Sequence, residues 1–466
     1  RRRSSLVARG GSGGRPLSRA PSFSGRASAA PLPPELAEEV MRTLKSIYVD
    51  KMRPLEEELR FAAFYEAPLA DSEFDMRASV LLLGQRATGK TTFARYLLGR
   101  DYPGAAPRTD RFVVVHAGPR DARTPGEVLV AQSELPYERL KHLGPGLLSS
   151  LEGSQCAVPF LEDVTLVDTP GILASGDKPR GAGGVGGTFV MSDAVRWFAE
   201  QAELVLLCFD PHRVDISDEM KLMLKTLMPH ESKLRLLLNK CAPLSHAKLQ
   251  KSMGALTWSL GRTLKSDRPC RVYLTSFNAD GTPADGAFAD TASLLEAEQR
   301  DLLSDISECP RRKVDRRVTE LITRVTAFRV HALLLRHLSR QGSLAGLFSK
   351  AAAAASLASK KATQKKLTDS IAEHFVQVKH EHKLPLEDFP DPATFCETML
   401  SIDLSQLPTV TARTTRAIEE VIAADLPAVI KLLEDHDERV AAAGRPATYA
   451  GSSGGGGNGA VGVPSG

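Results

Sequence analysis

The sequence predicts an α/β domain with a mostly parallel sheet, joined to a second domain made of helices. Six short apolar runs, separated by stretches of helix length, predict the strands; they are residues 80–83, 112–115, 164–167, 204–209, 234–238 and 272–274. Beyond Leu294 this pattern ends, and apolar residues recur at helical spacing as far as Ala443. Similar spacing begins at Leu36, before the first strand, so helices are expected on both sides of the sheet domain.

Composition and pattern divide the chain into five parts. They are residues 1–34, which are rich in Arg, Ser and Gly and contain no acidic residue; the N-terminal helices, 35–69; the α/β domain, 70–285; the helical region, 286–443; and a Gly- and Ser-rich tail, 444–466. We expect both ends to be disordered, because such compositions cannot pack a core. The first part is typical of a linker or of an organellar leader, and we favour the linker. Because the first residue is Arg, the natural N-terminus is left open.

Composition also excludes several classes of protein. A length of 466 residues with 42% hydrophobic residues favours two or three globular domains, and a formal net charge of +4 is too small to indicate nucleic acid binding. The six cysteines form no C-x-x-C pair, which argues against zinc sites and a disulfide framework and favours a reducing compartment. No apolar run approaches the roughly 18 to 20 residues that span a bilayer, so any membrane contact should be peripheral.

The most informative motif follows the first apolar run. Residues 84–91 fit the phosphate-binding pattern G-x-x-x-x-G-K-[ST] and lead into an amphipathic helix. The glycines let backbone N–H groups approach phosphate oxygens, and the helix N-terminus adds a favourable dipole. We expect Lys90 to neutralise the β- and γ-phosphates and Thr91 to bind Mg²⁺. The predicted nucleotide-binding residues here are Gly84, Gln85, Arg86, Ala87, Thr88, Gly89, Lys90, Thr91 and Thr92.

A second motif supplies the remaining ligands of a switch-type nucleoside triphosphatase. Asp168 ends an apolar strand, where its carboxylate can hold the Mg²⁺ hydration shell, and Gly171 lets a backbone N–H reach the γ-phosphate. Thr109, in the loop after the first helix of the domain, can close on Mg²⁺ and the attacking water. The predicted metal ligands are Thr91, Thr109 and Asp168, and the predicted catalytic residues are Lys90, Thr109 and Gly171. Taken alone, Asp and Gly are also typical of an ordinary turn after a strand.

A third motif concerns the base of the nucleotide. Asn239 and Lys240 resemble the start of the N-K-x-D element, whose carboxylate accepts hydrogen bonds from guanine. Ala242 stands where that carboxylate is expected, so guanine selectivity should be weakened, although Lys240 can still pack over the purine ring. Ser276 and Phe277, just after the last apolar run, complete the predicted nucleotide-binding residues. In isolation, Asn-Lys after a strand is as typical of a turn as of a site.

With their flanks, these motifs resemble the EHD family, the EH-domain-containing, dynamin-related membrane-remodelling ATPases. The stretches that carry the resemblance are PLEE at 54–57 with Arg60 and Phe61, TGKTTFARYLL at 88–98, DTPGIL at 168–173, WFAE at 197–200, DISDE at 215–219, GAL at 254–256 with WSLG at 258–261, and RVY at 271–273. The resemblance extends from about residue 36 to residue 440. That extent is too great for a coincidence of phosphate-binding loops.

The resemblance implies a fold and an activity. The fold would be a dynamin-like P-loop G domain with a mostly parallel sheet, plus a helical domain formed from the N- and C-terminal flanking helices. The activity would be slow ATP hydrolysis with Mg²⁺, faster after dimerisation and assembly into oligomers on membranes, in endocytic trafficking. The protein would be cytoplasmic and peripheral on endosomal or plasma membrane. Trp197 would lie on the helix of the dimer interface, although a buried core tryptophan is the alternative.

A basic segment is the predicted membrane contact. Residues 321–368 contain no Asp or Glu, and such a segment can attract anionic lipid headgroups and insert apolar side chains shallowly. The resemblance places the lipid-binding tip near residues 344–366, and the predicted contacts are Leu347, Phe348, Lys350, Lys360, Lys361, Lys365 and Lys366. A charged run is more often a solvated helix face. Nucleic acid is the competing anion, but no aromatic stacking platform accompanies the lysines, so we expect no nucleic acid partner.

Several departures from the family pattern leave alternatives open. No EH-domain pattern follows the helical region, so peptide partners would bind through an EH domain outside this chain. Residues 181–187 make the second switch glycine-rich, an Ala-rich stretch at 351–355 lengthens the membrane tip, and Arg86 replaces an aromatic residue. The alternatives to a membrane-remodelling ATPase are therefore a nucleotide-bound scaffold without effective hydrolysis and a GTPase of the same superfamily.

Overall fold

The computed structural model describes residues 32–65, 67–105, 110–172, 191–214, 216–264, 270–277, 289–340, 357–401 and 410–443. Within them lie eight strands: β1 (Ala78–Gly84), β2 (Phe112–Ala117), β3 (Ala122–Pro125), β4 (Leu151–Cys156), β5 (Val164–Asp168), β6 (Leu204–Phe209), β7 (Leu234–Leu238) and β8 (Val272–Leu274). They form one sheet in the order β3-β4-β2-β5-β1-β6-β7-β8.

Most neighbours in this sheet run parallel. The pairings of β1 with β5 and β6, of β6 with β7, of β7 with β8 and of β2 with β4 are parallel, whereas β2 with β5 and β3 with β4 are antiparallel. Every residue of β1 is buried, as expected for a strand covered by helices on both faces. Because β1, β5, β6 and β7 are parallel, their carboxyl ends meet at one edge of the sheet, where open α/β sheets bind ligands.

Helices precede, surround and follow the sheet. Before it come α1 (Pro34–Ser46), α2 (Arg53–Glu58), α3 (Phe61–Phe64) and α4 (Asp71–Asp75). Around it lie α5 (Lys90–Leu98), α6 (Gly126–Leu129), α7 (Pro145–Ser149), α8 (Phe160–Asp163), α9 (Met191–Gln201), α10 (Asp218–Leu227), α11 (His246–Leu264) and α12 (Ala289–Ser307). After it come α13 (Cys309–Arg340), α14 (Leu357–His382), α15 (Pro392–Ser401), α16 (Ala412–Glu420) and α17 (Leu426–Ala443).

The helices from the two ends of the chain share one core, which we call the helical unit. Val40 and Leu44 of α1 are fully buried together with Val318 and Phe328 of α13 and Val378 of α14. The amphipathic helix α1 buries its apolar face in this shared core, so the N-terminal helices depend on the C-terminal ones. Two further apolar cores lie on the two faces of the sheet.

A buried ion pair joins the two ends within this unit. The guanidinium of Arg324, on α13, donates from Nε and Nη2 to the two carboxylate oxygens of Glu56 at 2.7 and 2.8 Å. Tyr48 donates its hydroxyl to the same carboxylate at 2.9 Å, and the hydroxyl accepts from the Leu69 amide at 2.9 Å. Bidentate geometry and the added hydrogen bonds offset the cost of burying both charges.

A second ion pair ties α13 to the sheet. Glu203 precedes β6 and is 3% exposed. One of its carboxylate oxygens accepts from Arg316 of α13 at 2.9 and 2.7 Å, and the other accepts from the backbone amide of Ser79 in β1. The long helix of the helical unit is therefore attached to the strand that leads into the phosphate-binding loop.

The predicted fold class is confirmed: a mostly parallel α/β sheet is combined with a helical unit from both ends of the chain. All six apolar runs are strands. The sequence analysis did not predict β3 and β4, since β4 (LEGSQC) has neither a continuous apolar run nor regular alternation. Within the described ranges, no helix has the length and apolar character required to cross a bilayer. No disulfide links the six cysteines, all of which are described.

Candidate nucleotide-binding site

The phosphate-binding loop, residues 84–89, has a backbone that requires its two glycines. Gly84 has φ +152°, and a Cβ there would lie 2.3 Å from the carbonyl oxygen of Cys208 on β6. Gly89 has φ +96°, and its Cβ would lie 2.2 Å from Nδ2 of Asn239. Larger residues would be both strained and obstructed, so the loop is held close to the ends of β6 and β7. The helix α5 starts directly after it, at Lys90.

Lys90 is buried within the loop that precedes it. Its ammonium donates to the carbonyl oxygens of Gly84 and Gln85, at 3.1 Å each. Burial lowers the pKa of Lys90, while the nearby Asp168 carboxylate acts in the opposite direction. A cation enclosed mainly by neutral carbonyls, beside the first turn of a helix, has the chemistry of a phosphate-binding group.

Asp168 and Thr91 meet at the centre of the site. Asp168, at the end of β5, is 0% exposed, and its Oδ2 accepts a hydrogen bond from Oγ1 of Thr91 at 2.6 Å. The same oxygen accepts from the hydroxyl of Tyr102 at 2.8 Å. A hydroxyl and a carboxylate in contact beside a phosphate-binding lysine are the oxygen donors that Mg²⁺ prefers. The residues therefore fit a Mg²⁺–nucleotide complex.

The segment after Asp168 returns to the phosphate-binding loop. Thr169 donates its hydroxyl to the Leu82 carbonyl at 2.7 Å, and the Ile172 amide donates to the Gly84 carbonyl at 3.1 Å. A Cβ at Gly171 would lie 2.8 Å from Cα of Arg86. The backbone of this segment thus lies directly against the loop, at the position from which an N–H could contact a terminal phosphate.

Asn239 and Lys240 close the opposite side of the loop. Asn239 donates from Nδ2 to the Thr88 carbonyl at 3.2 Å. Lys240 donates to the Ala87 carbonyl at 2.6 Å and to Asp210 Oδ2 at 2.8 Å. Burial raises the pKa of Asp210, but hydrogen bonds from Lys240 and His212 outweigh it, and the pKa is lowered overall.

The two residues of the contact between Lys240 and Ala87 both have an unusual backbone conformation. Ala87 has φ +62° and Lys240 has φ +64°, a left-handed conformation that costs non-glycine residues about 1–3 kcal/mol. Such strain persists where surrounding contacts hold it, and it is frequent at ligand sites. The contact therefore marks the loop edge at which we predict the base.

Ala242 and the remaining predicted nucleotide-binding residues, Ser276 and Phe277, differ in position. Ala242 is 2% exposed, so the place of the guanine-reading carboxylate is occupied by a small buried residue. Ser276 is at the limit of burial, and its neighbour Thr275 donates to Oδ1 of Asn239 at 3.4 Å. Phe277 is buried in the core behind α5, where its ring stacks on Tyr96 at 4.3 Å. Of these residues, Phe277 is thus the one placed in a packing role.

The structure describes only part of the predicted switches and membrane contacts. Thr109, Leu347, Phe348, Lys350 and the glycine-rich residues 181–187 lie outside the described residues. Lys360, Lys361, Lys365 and Lys366 fall on α14, where only the backbone is described. Arg324, counted in the basic segment, is bound to buried Glu56, and Arg329 contacts Glu419 at 2.7 Å, so these two arginines serve the fold.

The two tryptophans differ in exposure. Trp197, on α9, is half-buried, with its ring 5.1 Å from that of Phe198 and 6.1 Å from that of Tyr137. Trp258, on α11, is 71% exposed. Trp197 therefore packs partly against the core of the sheet domain, whereas Trp258 offers the larger apolar surface to a partner.

The sequence analysis missed two side chains of the site. Asp210 follows β6 and orients Lys240, and Tyr102 contacts Asp168 from the loop after α5. An acidic residue directly after a parallel strand is a signal that could have indicated Asp210. No pattern in the sequence indicates Tyr102, because its partner is 66 residues away.

Comparisons with known proteins show which family the sequence is similar to. A family model described as N-terminal EH-domain containing protein matches residues 43–75, and one described as a domain of unknown function (DUF5600) matches residues 312–430. EH domain-containing protein 1 of Arabidopsis thaliana is 37% identical over 392 residues, which are 83% of this chain and 69% of the relative. EH domain-containing protein 3 of Homo sapiens is 33% identical over 410 residues, 87% of this chain and 73% of the relative.

The solved structures give more distant similarities. A chain from the structure of an oligomerised bacterial dynamin pair is 14% identical, covers 88% of this chain and 77% of its own, and has a TM-score of 0.35. The similarity to the EH domain-containing proteins is much stronger and extends over most of both chains. The chain therefore belongs to the EH domain-containing protein family.

Proposed function

We propose that the chain is a Mg²⁺-dependent nucleoside triphosphatase that prefers ATP to GTP, hydrolyses it slowly, and assembles on membranes to remodel them in endocytic trafficking. It would act in the cytoplasm, as a peripheral protein on endosomal or plasma membrane. The observation that carries the nucleotide part is the 2.6 Å contact between Thr91 and Asp168 beside buried Lys90. Family membership supports the membrane part.

In this proposal each residue of the site has a role. On nucleotide binding, the Lys90 ammonium would donate to the β- and γ-phosphates in place of its two carbonyl partners. The N–H groups of the loop would bind the phosphate oxygens. Thr91 and Asp168 would hold Mg²⁺, which neutralises the phosphates when bound. Thr109 would orient the attacking water, and the Gly171 N–H would contact the γ-phosphate.

The preference for ATP rests on the resemblance to the EHD ATPases, and Ala242 agrees with a lack of guanine preference. A buried methyl group there offers no acceptor to the N–H donors of guanine, so the site gains nothing specific from GTP. The variant Ala242→Asp is expected to raise GTP affinity about tenfold, the effect of roughly one charged hydrogen bond. Competition of GTP against a fluorescent ATP analogue measures it. An unchanged GTP affinity would favour a different position for the base.

Membrane action can be tested on vesicles. We expect the chain to sediment with anionic liposomes and to hydrolyse ATP faster when bound to them. A variant with Lys360, Lys361, Lys365 and Lys366 changed to Glu should lose both properties, because each near-surface charge contributes about 1 kcal/mol to binding. Changing the exposed Lys221 and Lys225 of α10 to Glu is the control. Absence of sedimentation and of stimulated hydrolysis in the unmodified chain would refute the membrane part.

The alternative of a scaffold without effective hydrolysis is separated by a single-turnover measurement. With enzyme in excess over ATP on liposomes, the proposal predicts complete conversion to ADP. A scaffold would leave the bound ATP intact. The glycine-rich residues 181–187, in the predicted second switch, motivate this alternative.

Trp197 is the residue predicted to lie at the dimer interface. We propose that α11 also forms part of this interface. Exposed Trp258 lies between Gly254 and Gly261 on one side of this helix, and a Cβ at either glycine would meet no atom within 4 Å. The fold itself does not require these glycines, each of which weakens a helix by about 1 kcal/mol. Small residues around an exposed tryptophan allow a second helix to approach closely.

Sedimentation velocity distinguishes the two tryptophans. Trp258→Ser should shift the chain towards monomer without lowering its melting temperature, because the ring is mostly exposed. Trp197→Ser should lower the melting temperature, because its ring packs on Phe198 and Tyr137. An unchanged dimer in Trp258→Ser would remove α11 from the interface.

A further inference from the structure

A buried phenol contacts the central carboxylate of the site. Tyr102 follows α5 and is 3% exposed, and its hydroxyl donates to Oδ2 of Asp168 at 2.8 Å. Thr91 donates to the same oxygen at 2.6 Å. The carboxylate is thus held by hydroxyls from two different segments, one on the phosphate-binding helix and one on the loop that leads to Thr109.

The hydroxyl of Tyr102 is not needed to fill space. Its ring belongs to an apolar core with Phe93, Leu98 and Val113, where a phenylalanine ring would pack equally well. A buried hydroxyl is costly unless it is hydrogen-bonded, and here the carboxylate supplies the acceptor. A phenol is protonated throughout the physiological range, so the hydroxyl of Tyr102 remains a donor to this carboxylate.

The backbone around Tyr102 is held by protein contacts. The Ala105 amide donates to the Tyr102 carbonyl at 2.9 Å, which closes a turn. Gly104 in this turn has φ +89°, and a Cβ there would lie 2.7 Å from Oε1 of Glu152 on β4. Glu152 is itself bound by Arg123 of β3. The turn that carries the phenol is therefore held by contacts with the sheet edge.

We propose that Tyr102 is a positioning residue, which holds the Asp168 carboxylate in the orientation that receives Mg²⁺ together with Thr91. This inference rests on the proposed nucleotide site. Outer hydrogen-bond partners fix the rotation of a metal-binding carboxylate, and their loss typically weakens metal binding by 10–100-fold. Tyr102 would therefore increase the affinity for Mg²⁺ in the nucleotide complex without touching the nucleotide itself.

Tyr102→Phe tests the proposal, because it removes one oxygen and preserves the ring. Binding of a fluorescent ATP analogue to the full chain is measured from zero Mg²⁺, in EDTA, to saturation. We expect the Mg²⁺ concentration for half-maximal effect to rise about tenfold, with unchanged affinity in EDTA and an unchanged melting temperature. Tyr96→Phe is the matched control, since its hydroxyl lies on α5 but contacts Gln299. Its Mg²⁺ dependence should equal that of the unmodified chain.

Two results would overturn the role of Tyr102 alone. One is a normal Mg²⁺ dependence in Tyr102→Phe. The other is an equal loss of affinity with and without Mg²⁺, which would indicate a general structural role. If the unmodified chain binds the analogue at no Mg²⁺ concentration, the proposed nucleotide site itself fails, and the role of Tyr102 fails with it. The behaviour of the unmodified chain thus separates the two failures.

Discussion

Buried charges occur both at the nucleotide site and in the helical unit, but they are neutralised differently. In the helical unit, Arg324 forms two hydrogen bonds to the Glu56 carboxylate and Tyr48 adds a third, so this cluster is complete within the chain. At the nucleotide site, Lys90 is met by two backbone carbonyls, and burial lowers its pKa. The first arrangement stabilises the fold, whereas the second is suited to an anionic ligand.

Removing the cation of the helical unit should have the largest effect on stability. Arg324→Met leaves the buried Glu56 carboxylate without its cationic partner, and we expect the free energy of unfolding to fall by about 3–5 kcal/mol. Arg329→Met on the same helix is the control, because that ion pair is partly exposed and should cost less than about 1 kcal/mol. Urea denaturation measures both. Equal losses would contradict the distinction between buried and exposed pairs.

Removing the cation of the nucleotide site should affect binding instead. Lys90→Met is expected to lower ATP affinity by about 100-fold, or ~2.8 kcal/mol, because the phosphates lose their charged donor. The free energy of unfolding should stay within about 1 kcal/mol, since the lost hydrogen bonds are offset by removal of a buried charge. Calorimetry and urea denaturation measure the two quantities. A destabilisation as large as that of Arg324→Met would erase the contrast between the two regions.

The helical unit should also carry a stability change with pH. His331 is 0% exposed, and its Nε2 lies 3.3 Å from the Leu59 carbonyl. Burial lowers the pKa of His331 to about 4 from 6.5. The folded chain thus keeps this histidine neutral, whereas the unfolded chain takes up a proton below pH 6.5. As the pH is lowered from 6.5 to 4, the free energy of unfolding should therefore fall by up to about 3 kcal/mol.

The control for this pH dependence is His331→Phe, which suits the surrounding aromatic rings and cannot titrate. Denaturation midpoints at several pH values between 4 and 7 give the slope. The variant should lose the contribution of one proton to that slope. An unchanged slope would mean that other groups dominate the titration.

The smallest effect concerns the surface of α11. Gly261→Ala should stabilise the monomer by about 0.5–1 kcal/mol, because alanine is the better helix former, and should weaken self-association. Gly99→Ala is a useful contrast. Gly99 also has open space around it, but its φ of +66° is strained for alanine. The Gly99→Ala variant should therefore be less stable than the unmodified chain. A more stable monomer that still dimerises normally would show that Gly261 does not face the partner.

The sequence predicted the features that depend on local pattern. Continuous apolar runs located the central strands, and glycine spacing located the phosphate-binding loop, because each follows from the period of a strand or the needs of a turn. Tyr102 and Asp210 could not be found in this way, since their partners, Asp168 and Lys240, are brought to them only by the folded sheet.

Exposure was equally hard to predict. Trp197 and Trp258 both lie on helices with apolar neighbours, and only the packing shows that the first is half-buried and the second is exposed. The same holds for Arg324, which belongs to an acid-free stretch of sequence but binds Glu56 from the other end of the chain. Charge runs identify a solvated or lipid-facing surface only after such long-range partners are known.

The most direct test of the central claim is calorimetric titration of the unmodified chain with ATP and with GTP in the presence of Mg²⁺. The site geometry around Lys90, Thr91 and Asp168 predicts saturable binding of ATP. The resemblance to the EHD ATPases, together with the lack of a guanine-reading carboxylate at Ala242, predicts weaker binding of GTP. Tighter binding of GTP, or no binding of either nucleotide, would contradict it.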